Sequence, residues 1–356
     1  MDRRFDRRTM LTGTAVALAA PFIIRRRAGA AERSITVGIY TAQQGEYVRK
    51  QIIPAFEADH KCKVYTTQGV TLEQIALMRA TRNNPKYSVM FIDDIGVDLA
   101  KKEGLIERLP ADQIPNMQRV LPRFVVNDGY GAAFAMSSVG LVYNAATGKP
   151  LESYAELWEL RFRKRFLMTS PKATQSLYLL IAAMSVETGK PYSEAQYLIE
   201  NSWDKMEALK PNVLSIFESA ATVMQVAQGQ ADIAGLSFAK SVYPYTVKGA
   251  PIDMCFPREG TFAGINCLTL VKGAPDRELG IAFINRMLDP VVQQGLAEAT
   301  FAAPTISGLT LKPDAAKYMA YPEDKMDEMG IFSPDWTFIN PIRPKLLEKY
   351  NQVFGA

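Results

Sequence analysis

The chain has 356 residues, a formal net charge of +4, 48% hydrophobic residues, three cysteines and one histidine. This length exceeds what one hydrophobic core usually supports and suits two domains. With His60 as the one histidine, and with no cysteine pair at metal-site spacing, the composition argues against a Ser-His-Asp triad and against a histidine-rich metal site.

Residues 1–30 have the pattern of an export signal. A basic head containing Arg7 and Arg8 precedes an apolar run from Met10 to Ile24, and Ala28-Gly29-Ala30 provides a small-residue cleavage site. Asp6-Arg7-Arg8-Thr9-Met10-Leu11 resembles the twin-arginine export motif. The apolar run is short for a membrane span, and no later stretch reaches about 18 apolar residues. We therefore predict a twin-arginine signal peptide over residues 1–30 and a soluble periplasmic mature protein.

The leader also accounts for the apparent basicity of the chain. Without its seven basic and two acidic residues, 34 basic and 35 acidic residues remain, so the net charge is near −1. This balance gives no reason to expect nucleic acid as a partner. Cys62, Cys255 and Cys267 are odd in number for an oxidising compartment. A Cys255–Cys267 bridge stays open, although the pattern favours free buried thiols.

The first part of the mature chain alternates strands and helices. Predicted strands cover 34–40, 63–67 and 88–92, and predicted helices cover 47–59 and 71–82. A polar loop follows the first strand, and Asp93-Asp94 follows the third. This alternation predicts an α/β fold with a mostly parallel sheet and helices on its faces. A long apolar strand is predicted over Gly131–Asn144.

The second part is organised around residues 213–245. Before it, the pattern predicts helices at 150–166, 173–188 and 191–209 and a strand at 167–169. Two apolar runs then predict strands at 213–217 and 231–237 around a helix at 220–228, which Ser219 would cap. Such a unit is right-handed and parallel, and its crevice is the usual ligand site. We therefore expect Glu218, Ser219 and Phe238 near a cleft edge, with an ordinary α/β core unit as the alternative.

Several local motifs resemble one family when they are taken in chain order. They are Gly140-Leu141-Val142-Tyr143-Asn144, the segment QGQADIAGLSF, the stretch from Pro251 to Thr261, and Ala282-Phe283-Ile284-Asn285 with Leu288-Asp289-Pro290. Together they cover nearly the whole mature chain behind an export signal. The chain is thus similar to the extracellular solute-binding proteins of ABC importers, in the branch that holds polyamine, ferric-iron and thiamine binders.

The resemblance implies a type II periplasmic-binding-protein fold with two α/β lobes and a ligand cleft between them. Lobe one would comprise 34–137 and 264–305, and lobe two 138–263 and 306–356, which includes the C-terminal helices. Crossing segments are expected near Met136–Val139, Thr261–Ile265 and Ala303–Gly308. The lobes would close on a small polar solute without catalytic residues, metal or cofactor. A monomer would then deliver the solute to a permease and ATPase complex at the inner membrane.

Candidate ligand-binding residues come from the strand ends and helix amino ends of both lobes. They are Tyr40, Thr41, Gln43, Thr67, Asp93, Asp94, Ser137, Gln175, Glu218, Phe238 and Glu259. The acidic residues favour a cationic or zwitterionic solute. Helix amino ends such as the one at 170–175 present backbone N–H groups that equally suit a carboxylate or a phosphonate.

Two positions depart from the polyamine-binding pattern. This chain has Gly264-Ile265-Asn266 where the polyamine binders carry Trp and Asp, and it has Asp93-Asp94-Ile95-Gly96 where they have neighbouring tyrosines. The ferric binders use adjacent tyrosines, whereas Tyr243-Pro244-Tyr245 separates its pair by a proline. These departures weaken the assignment to either ligand.

Two other functions remain as alternatives. One is an enzyme on the same fold, for which Cys62, Cys255, Cys267 or His60 would have to act. The other is a solute sensor that hands the same kind of ligand to a receptor.

Overall fold

One mixed sheet runs through the molecule. The computed structural model describes residues 32–217 and 223–355, and within them twelve strands form this sheet. The strands are β1 (Arg33–Ile39), β2 (Cys62–Gln68), β3 (Val89–Asp93), β4 (Ile106–Glu107), β5 (Val125–Val126), β6 (Gly131–Asn144), β7 (Phe166–Thr169), β8 (Val213–Phe217), β9 (Ile233–Phe238), β10 (Ile252–Cys255), β11 (Thr261–Val271) and β12 (Ile331–Phe332).

Helices connect most of these strands. They are α1 (Ala42–Tyr47), α2 (Ile53–His60), α3 (Thr71–Ala80), α4 (Asp94–Lys102), α5 (Gln175–Thr188), α6 (Tyr192–Ala195), α7 (Trp203–Leu209), α8 (Met224–Ala227), α9 (Ala239–Thr246), α10 (Arg277–Met287), α11 (Pro290–Thr300), α12 (Pro313–Ala316), α13 (Glu323–Glu328) and α14 (Trp336–Phe354). A π-helical turn, Val48–Ile52, joins α1 to α2. Among the described residues, no helix combines the length and the apolar character needed to cross a membrane.

Two long strands, β6 and β11, lie in the middle of the sheet and are antiparallel to each other. The strand order is β2-β1-β3-β11-β6-β9-β7-β8. Strand β1 is parallel to β2 and β3 on one side, and β7 is parallel to β8 and β9 on the other. Met136 pairs with Ile265, Val139 pairs with Phe262, and Ala303 bridges to Met136. The three predicted crossing segments therefore lie side by side.

The hydrophobic residues separate into cores on the two sides of these central strands. The first core draws on residues between Ile35 and Met136 and between Ala263 and Met326. On the other side, two clusters draw mainly on residues between Val139 and Phe262, and α14 packs against the larger of them. Since each core holds its own part of the sheet and its own helices, the molecule has the two α/β lobes that were predicted.

Two predicted helices are wrong. The region 150–166 forms two short 3-10 turns, Tyr154–Trp158 and Leu160–Phe162, because Asn212 Nδ2 donates to the carbonyls of Leu157 and Glu159. The Leu157 carbonyl is thereby occupied at the end of the first turn, whereas the Glu159 carbonyl also accepts the Phe162 backbone N–H within the second.

The region 191–209 likewise breaks into α6, a 3-10 turn and α7. Ser202 lies at the last break, and its hydroxyl donates to the carbonyl of Ile199. Serine side chains compete in this way with backbone hydrogen bonds, so the long apolar pattern did not yield one long helix.

Candidate functional site

A cavity of about 110 Å³ lies between the two lobes. Its lining comprises Tyr40, Val70, Thr71, Asp93, Asp94 and Asn266 from the first lobe, Thr174, Tyr178, Phe238 and Lys240 from the second, and Gly264 and Ile265 from the crossing part of β11. An adjoining cavity of about 240 Å³ shares five of these residues and extends to Lys172, Gln175 and Arg343. Together the two cavities offer a small solute contacts to both lobes.

Strand ends bring the polar and aromatic side chains to this place. Tyr40 follows β1, Asp93 ends β3, and Phe238 ends β9 directly before α9, whose second residue is Lys240. The carboxyl ends of parallel strands open onto the ligand crevice in α/β sheets. Here the crevice edges of the two lobes face one another across β6 and β11.

Asp93 is held in a fixed orientation by three neighbours. The Tyr40 hydroxyl and Asn266 Nδ2 both donate to Asp93 Oδ1, at 2.7 and 2.8 Å, and the Asp93 backbone N–H donates to Thr71 Oγ1 at 3.0 Å. Burial raises the pKa of the Tyr40 phenol well above its ordinary value, and the Asp93 charge raises it further. Tyr40 is therefore a permanent hydrogen-bond donor at neutral pH.

Lys240 brings a positive charge into the same wall. Its Nζ donates to Asn266 Oδ1 at 2.6 Å and lies 5.6 Å from the ring centroids of Tyr40 and Phe238, within cation–π range. Its backbone N–H donates to Ser137 Oγ on β6 at 3.1 Å. Burial lowers the pKa of the Lys240 ammonium, and the Asp93 charge acts in the opposite direction.

The ring of Phe238 forms the aromatic part of the wall because position 264 is glycine. A Cβ added at Gly264 would overlap this ring, so the ring occupies the space above β11 that a side chain would fill. The second lobe thus contributes an aromatic face at the place where the polyamine-binding pattern has Trp on the crossing strand.

The chain matches one family of known proteins over most of its length. The family model for bacterial extracellular solute-binding proteins matches residues 51–323, most of the chain. The chain is a member of this family.

Curated relatives and solved structures agree with this assignment. The spermidine/putrescine-binding periplasmic protein of Escherichia coli is 24% identical over 329 residues, covering 89% of this chain and 91% of that protein. Iron uptake protein A1 of Synechocystis is 21% identical and covers 79% of each chain. A crystal structure of an ABC transporter from Clostridium perfringens superposes with a TM-score of 0.76 at 19% identity, covering 90% of this chain and 99% of that one. These matches confirm the predicted two-lobed α/β fold.

Asp94 of this solute-binding protein connects the lobes. It is 2% exposed, and its Oδ2 accepts hydrogen bonds from Ser333 Oγ and Trp336 Nε1, both at 2.7 Å, at the start of α14. One turn later on α4, Asp98 accepts from Thr337 and Asn340 of α14. Both oxygens of Asp94 thus accept hydrogen bonds from the protein, since Oδ1 accepts the Ile95 backbone N–H at 3.0 Å, although the residue also lines the cavity.

Burial raises the pKa of Asp94 to about 7, against the lowering effect of these hydrogen bonds, and the neighbouring Asp93 charge raises it further. The protonation state of the Asp94 carboxyl group is thus governed mainly by its burial in the protein.

Some predicted site residues lie next to the cavity and others lie apart from it. Ser137 is buried behind Lys240, and Gln175 lines the adjoining cavity. Thr41 and Gln43 are exposed, and Gln43 Nε2 donates to the carbonyl of Ala299. Thr67 is half-buried on β2, and its hydroxyl oxygen has no hydrogen-bond partner among the described residues.

Glu259 and Glu218 differ from the rest. Glu259 accepts hydrogen bonds from the Ser153 hydroxyl and from the Tyr154 backbone N–H, and it lines a separate groove of about 600 Å³. Its carboxylate therefore fastens a loop to a 3-10 turn. Glu218 lies outside the described residues.

Sequence reasoning missed several cavity residues. They are Val70, Thr71, Thr174, Tyr178, Lys240, Gly264, Ile265 and Asn266. Lys240 was the easiest of these to predict, because it lies two residues after Phe238, the predicted site residue that ends β9. For Asn266, the sequence comparison showed only that the Asp of the polyamine-binding pattern is missing. It gave no indication of the hydrogen bonds that the amide makes to Asp93 and Lys240.

The side chains that an enzyme on this fold would have to use lie in surroundings that do not favour nucleophilic catalysis. Cys255 and Cys267 are buried and form no disulfide. Burial raises the pKa of Cys255 to about 11 and that of Cys267 well above its ordinary value, so neither thiol is a ready nucleophile at neutral pH. His60 ends α2 and lies against the Phe56 ring. Among the described residues, no group of three or more His, Cys, Asp and Glu side chains could hold a metal ion.

We predict that Gly264→Ala destabilises the protein by about 1–3 kcal/mol, because the new methyl group forces Phe238 out of its position. Phe238→Leu should relieve this overlap, so the double variant should be more stable than the two single effects added together predict. Urea unfolding of the four proteins measures this coupling. Strictly additive effects would show that the two residues do not compete for the same space.

A second prediction concerns pH. Because the folded pKa of Asp94 lies near 7 and its unfolded pKa near 3.8, the folded state holds a proton between these values that the unfolded state has released. The titration of Asp94 therefore lowers the free energy of unfolding as pH rises from about 4 to about 7, by up to about 1.4 kcal/mol per pH unit. Above pH 7 the contribution of Asp94 no longer changes with pH.

Asp94→Asn should remove this contribution, whereas Asp112→Asn, at an exposed site, should not. Urea unfolding between pH 4.5 and 8 compares the slopes. Parallel curves for wild type and Asp94→Asn would contradict the assignment.

Proposed function

We propose that this protein captures a small polar solute between its two lobes in the periplasm and delivers it to an ABC permease and its ATPase at the inner membrane. It acts as a monomer and without catalysis. The observation that carries the proposal is the cavity whose wall combines Tyr40 and Asp93 of one lobe with Phe238 and Lys240 of the other. A solute that contacts both walls stabilises the closed arrangement relative to an open one.

The lobe boundaries form part of the proposal. Separate cores on the two sides of the central strands support crossings near 136–139 and 261–265. The segment from Ile306 to Met326 packs in the first core, and α14 packs in the second. We therefore propose that residues 306–326 move with lobe one, and not with lobe two as the family resemblance implied, and that α14 moves with lobe two.

By their names, one of the relatives given above binds spermidine and putrescine and the other serves iron uptake. The aromatic faces and the Asp93 carboxylate are groups that suit an amine. Lys240 is a group that an amine would avoid. The proposal therefore extends to a small polar solute and not to the polyamines themselves.

A thermal-shift screen of the mature protein against polar metabolites tests the function. A solute at 100 times its Kd should raise the free energy of unfolding by about 2.7 kcal/mol. Phe238→Ala should weaken binding of any such solute about tenfold or more, because the ring wall is lost. Tyr65→Ala, which removes a 61% exposed ring from β2, is the matched control and should bind normally. A full screen without a stabilising solute, or equal binding by Phe238→Ala, would count against the cleft.

We further propose that residues 1–30, which lie outside the described residues, direct export by the twin-arginine route. Arg7→Lys with Arg8→Lys keeps the charge but removes both guanidinium groups, and lysine does not replace arginine where the planar group is recognised. The double variant should accumulate as precursor in the cytoplasm, as seen by fractionation and immunoblotting. Normal maturation of the variant would exclude this route and leave export by another.

A further inference from the structure

Lys240 is an incompletely paired ammonium in the cavity wall. An ammonium group has three N–H donors, and among the described residues Asn266 Oδ1 is the acceptor that Lys240 Nζ reaches. No carboxylate among those residues forms an ion pair with it. The faces of Tyr40 and Phe238 cover the ammonium but accept no conventional hydrogen bond. Two of its donors are thus available to a bound group.

Asp93 is a matching carboxylate with a free oxygen. Both of its side-chain hydrogen bonds, from Tyr40 and Asn266, go to Oδ1, and Oδ2 receives none from the described residues. Asn266 lies between the two charges and orients both, because its Nδ2 donates to Asp93 while its Oδ1 accepts from Lys240. Gln44 Nε2 donates to the same Oδ1 at 3.3 Å and fixes the amide.

We propose that the solute carries a carboxylate or similar anionic group that Lys240 binds, together with an amino group that Asp93 binds. This inference rests on the proposed function and names the class of its solute. An anion that accepts the two free donors of Lys240 would compensate the desolvation of that ammonium. An amino group at Asp93 would donate a hydrogen bond to Oδ2, the carboxylate oxygen that accepts none from the described residues.

An aliphatic diamine fits this wall poorly. One of its ammonium groups pairs with Asp93, but the cavity is small and Lys240 then opposes the added positive charge at close range. Helices α3 and α5 also begin at the cavity, at Thr71 and Gln175, and their positive ends favour negative charge on the same side. Lys240 is thus the specificity-determining residue of the cleft.

The experiment compares solutes that differ mainly in charge. The probes are α,ω-diamines, ω-amino acids and α,ω-dicarboxylates of three to six carbons, each added to the mature protein in thermal-shift and calorimetric titrations. We expect an ω-amino acid to bind most tightly, a dicarboxylate more weakly, and the diamines at least tenfold more weakly than the amino acid. Tightest binding of a diamine would overturn the inference and leave the proposed function standing. Absence of binding by every probe and by every solute of the wider screen would overturn both.

Variants of Lys240 test the residue itself. Lys240→Met keeps the stem between the two rings and removes the charge, so it should weaken amino-acid binding at least tenfold and improve diamine binding. Lys240→Arg should retain part of the amino-acid affinity. Lys248→Met changes an exposed lysine just beyond α9 and should match wild type. Equal amino-acid affinity in Lys240→Met and wild type would overturn the inference. Should Lys240→Met not fold, the order of the probes with wild type still decides.

Discussion

The antiparallel pairing of β6 with β11 is the constraint on which the rest of the structure depends. These two strands join the lobes, because β11 pairs with β3 of the first lobe, β6 pairs with β9 of the second, and β6 and β11 pair with each other. Because their pairing is continuous from Phe262–Val139 to Asn266–Ala135, the crevice edge of the first sheet is placed opposite the crevice edge of the second. The side chains that follow β1, β3 and β9 therefore meet in one cavity although they are far apart in the sequence.

Small residues at this crossing have a direct consequence for the cavity. Gly264 leaves room for the Phe238 ring, and Ser137 on the partner strand accepts the backbone N–H of Lys240. The start of α9 is thereby fixed to β6. The same two strands that join the lobes thus also set the positions of an aromatic face and a positive charge.

The charges in the cavity are arranged around one amide. Asn266 takes a place between Asp93 and Lys240, so that a carboxylate and an ammonium stand in one wall without forming an ion pair with each other. Each charge keeps a hydrogen-bonding site that none of the described residues uses. An acid at position 266 would have neutralised Lys240 and repelled Asp93, and the wall would then have favoured a cation.

The sequence predicted seven of the twelve strands in the described residues, because their apolar runs are bounded by polar residues, but it did not predict the central strand β11. The bounds of β6 and β8 are those that were predicted, 131–144 and 213–217. The predictions of helices at 150–166 and 191–209 were wrong. Tertiary hydrogen bonds from Asn212 and a local one from Ser202 interrupt these regions, and such bonds are not visible in the spacing of apolar residues.

The cleft was predictable only in part for a related reason. Strand ends can be recognised in a sequence, and on that basis the sequence predicts Tyr40, Asp93 and Phe238 as site residues. The partner of each side chain depends on folding, and Asp94 shows this, since Ser333 and Trp336 approach it from more than two hundred residues later in the chain. The roles of Lys240 and Asn266 can be recognised only in the folded protein, where the start of α9 lies next to β11.

The central claim is that a solute closes two lobes around this cavity. Small-angle X-ray scattering of the mature protein, with and without the solute that stabilises it most, measures this directly. The account predicts a smaller radius of gyration at saturating solute together with an unchanged far-ultraviolet circular dichroism spectrum, because the lobes move as rigid bodies. An identical scattering curve at saturation would contradict it.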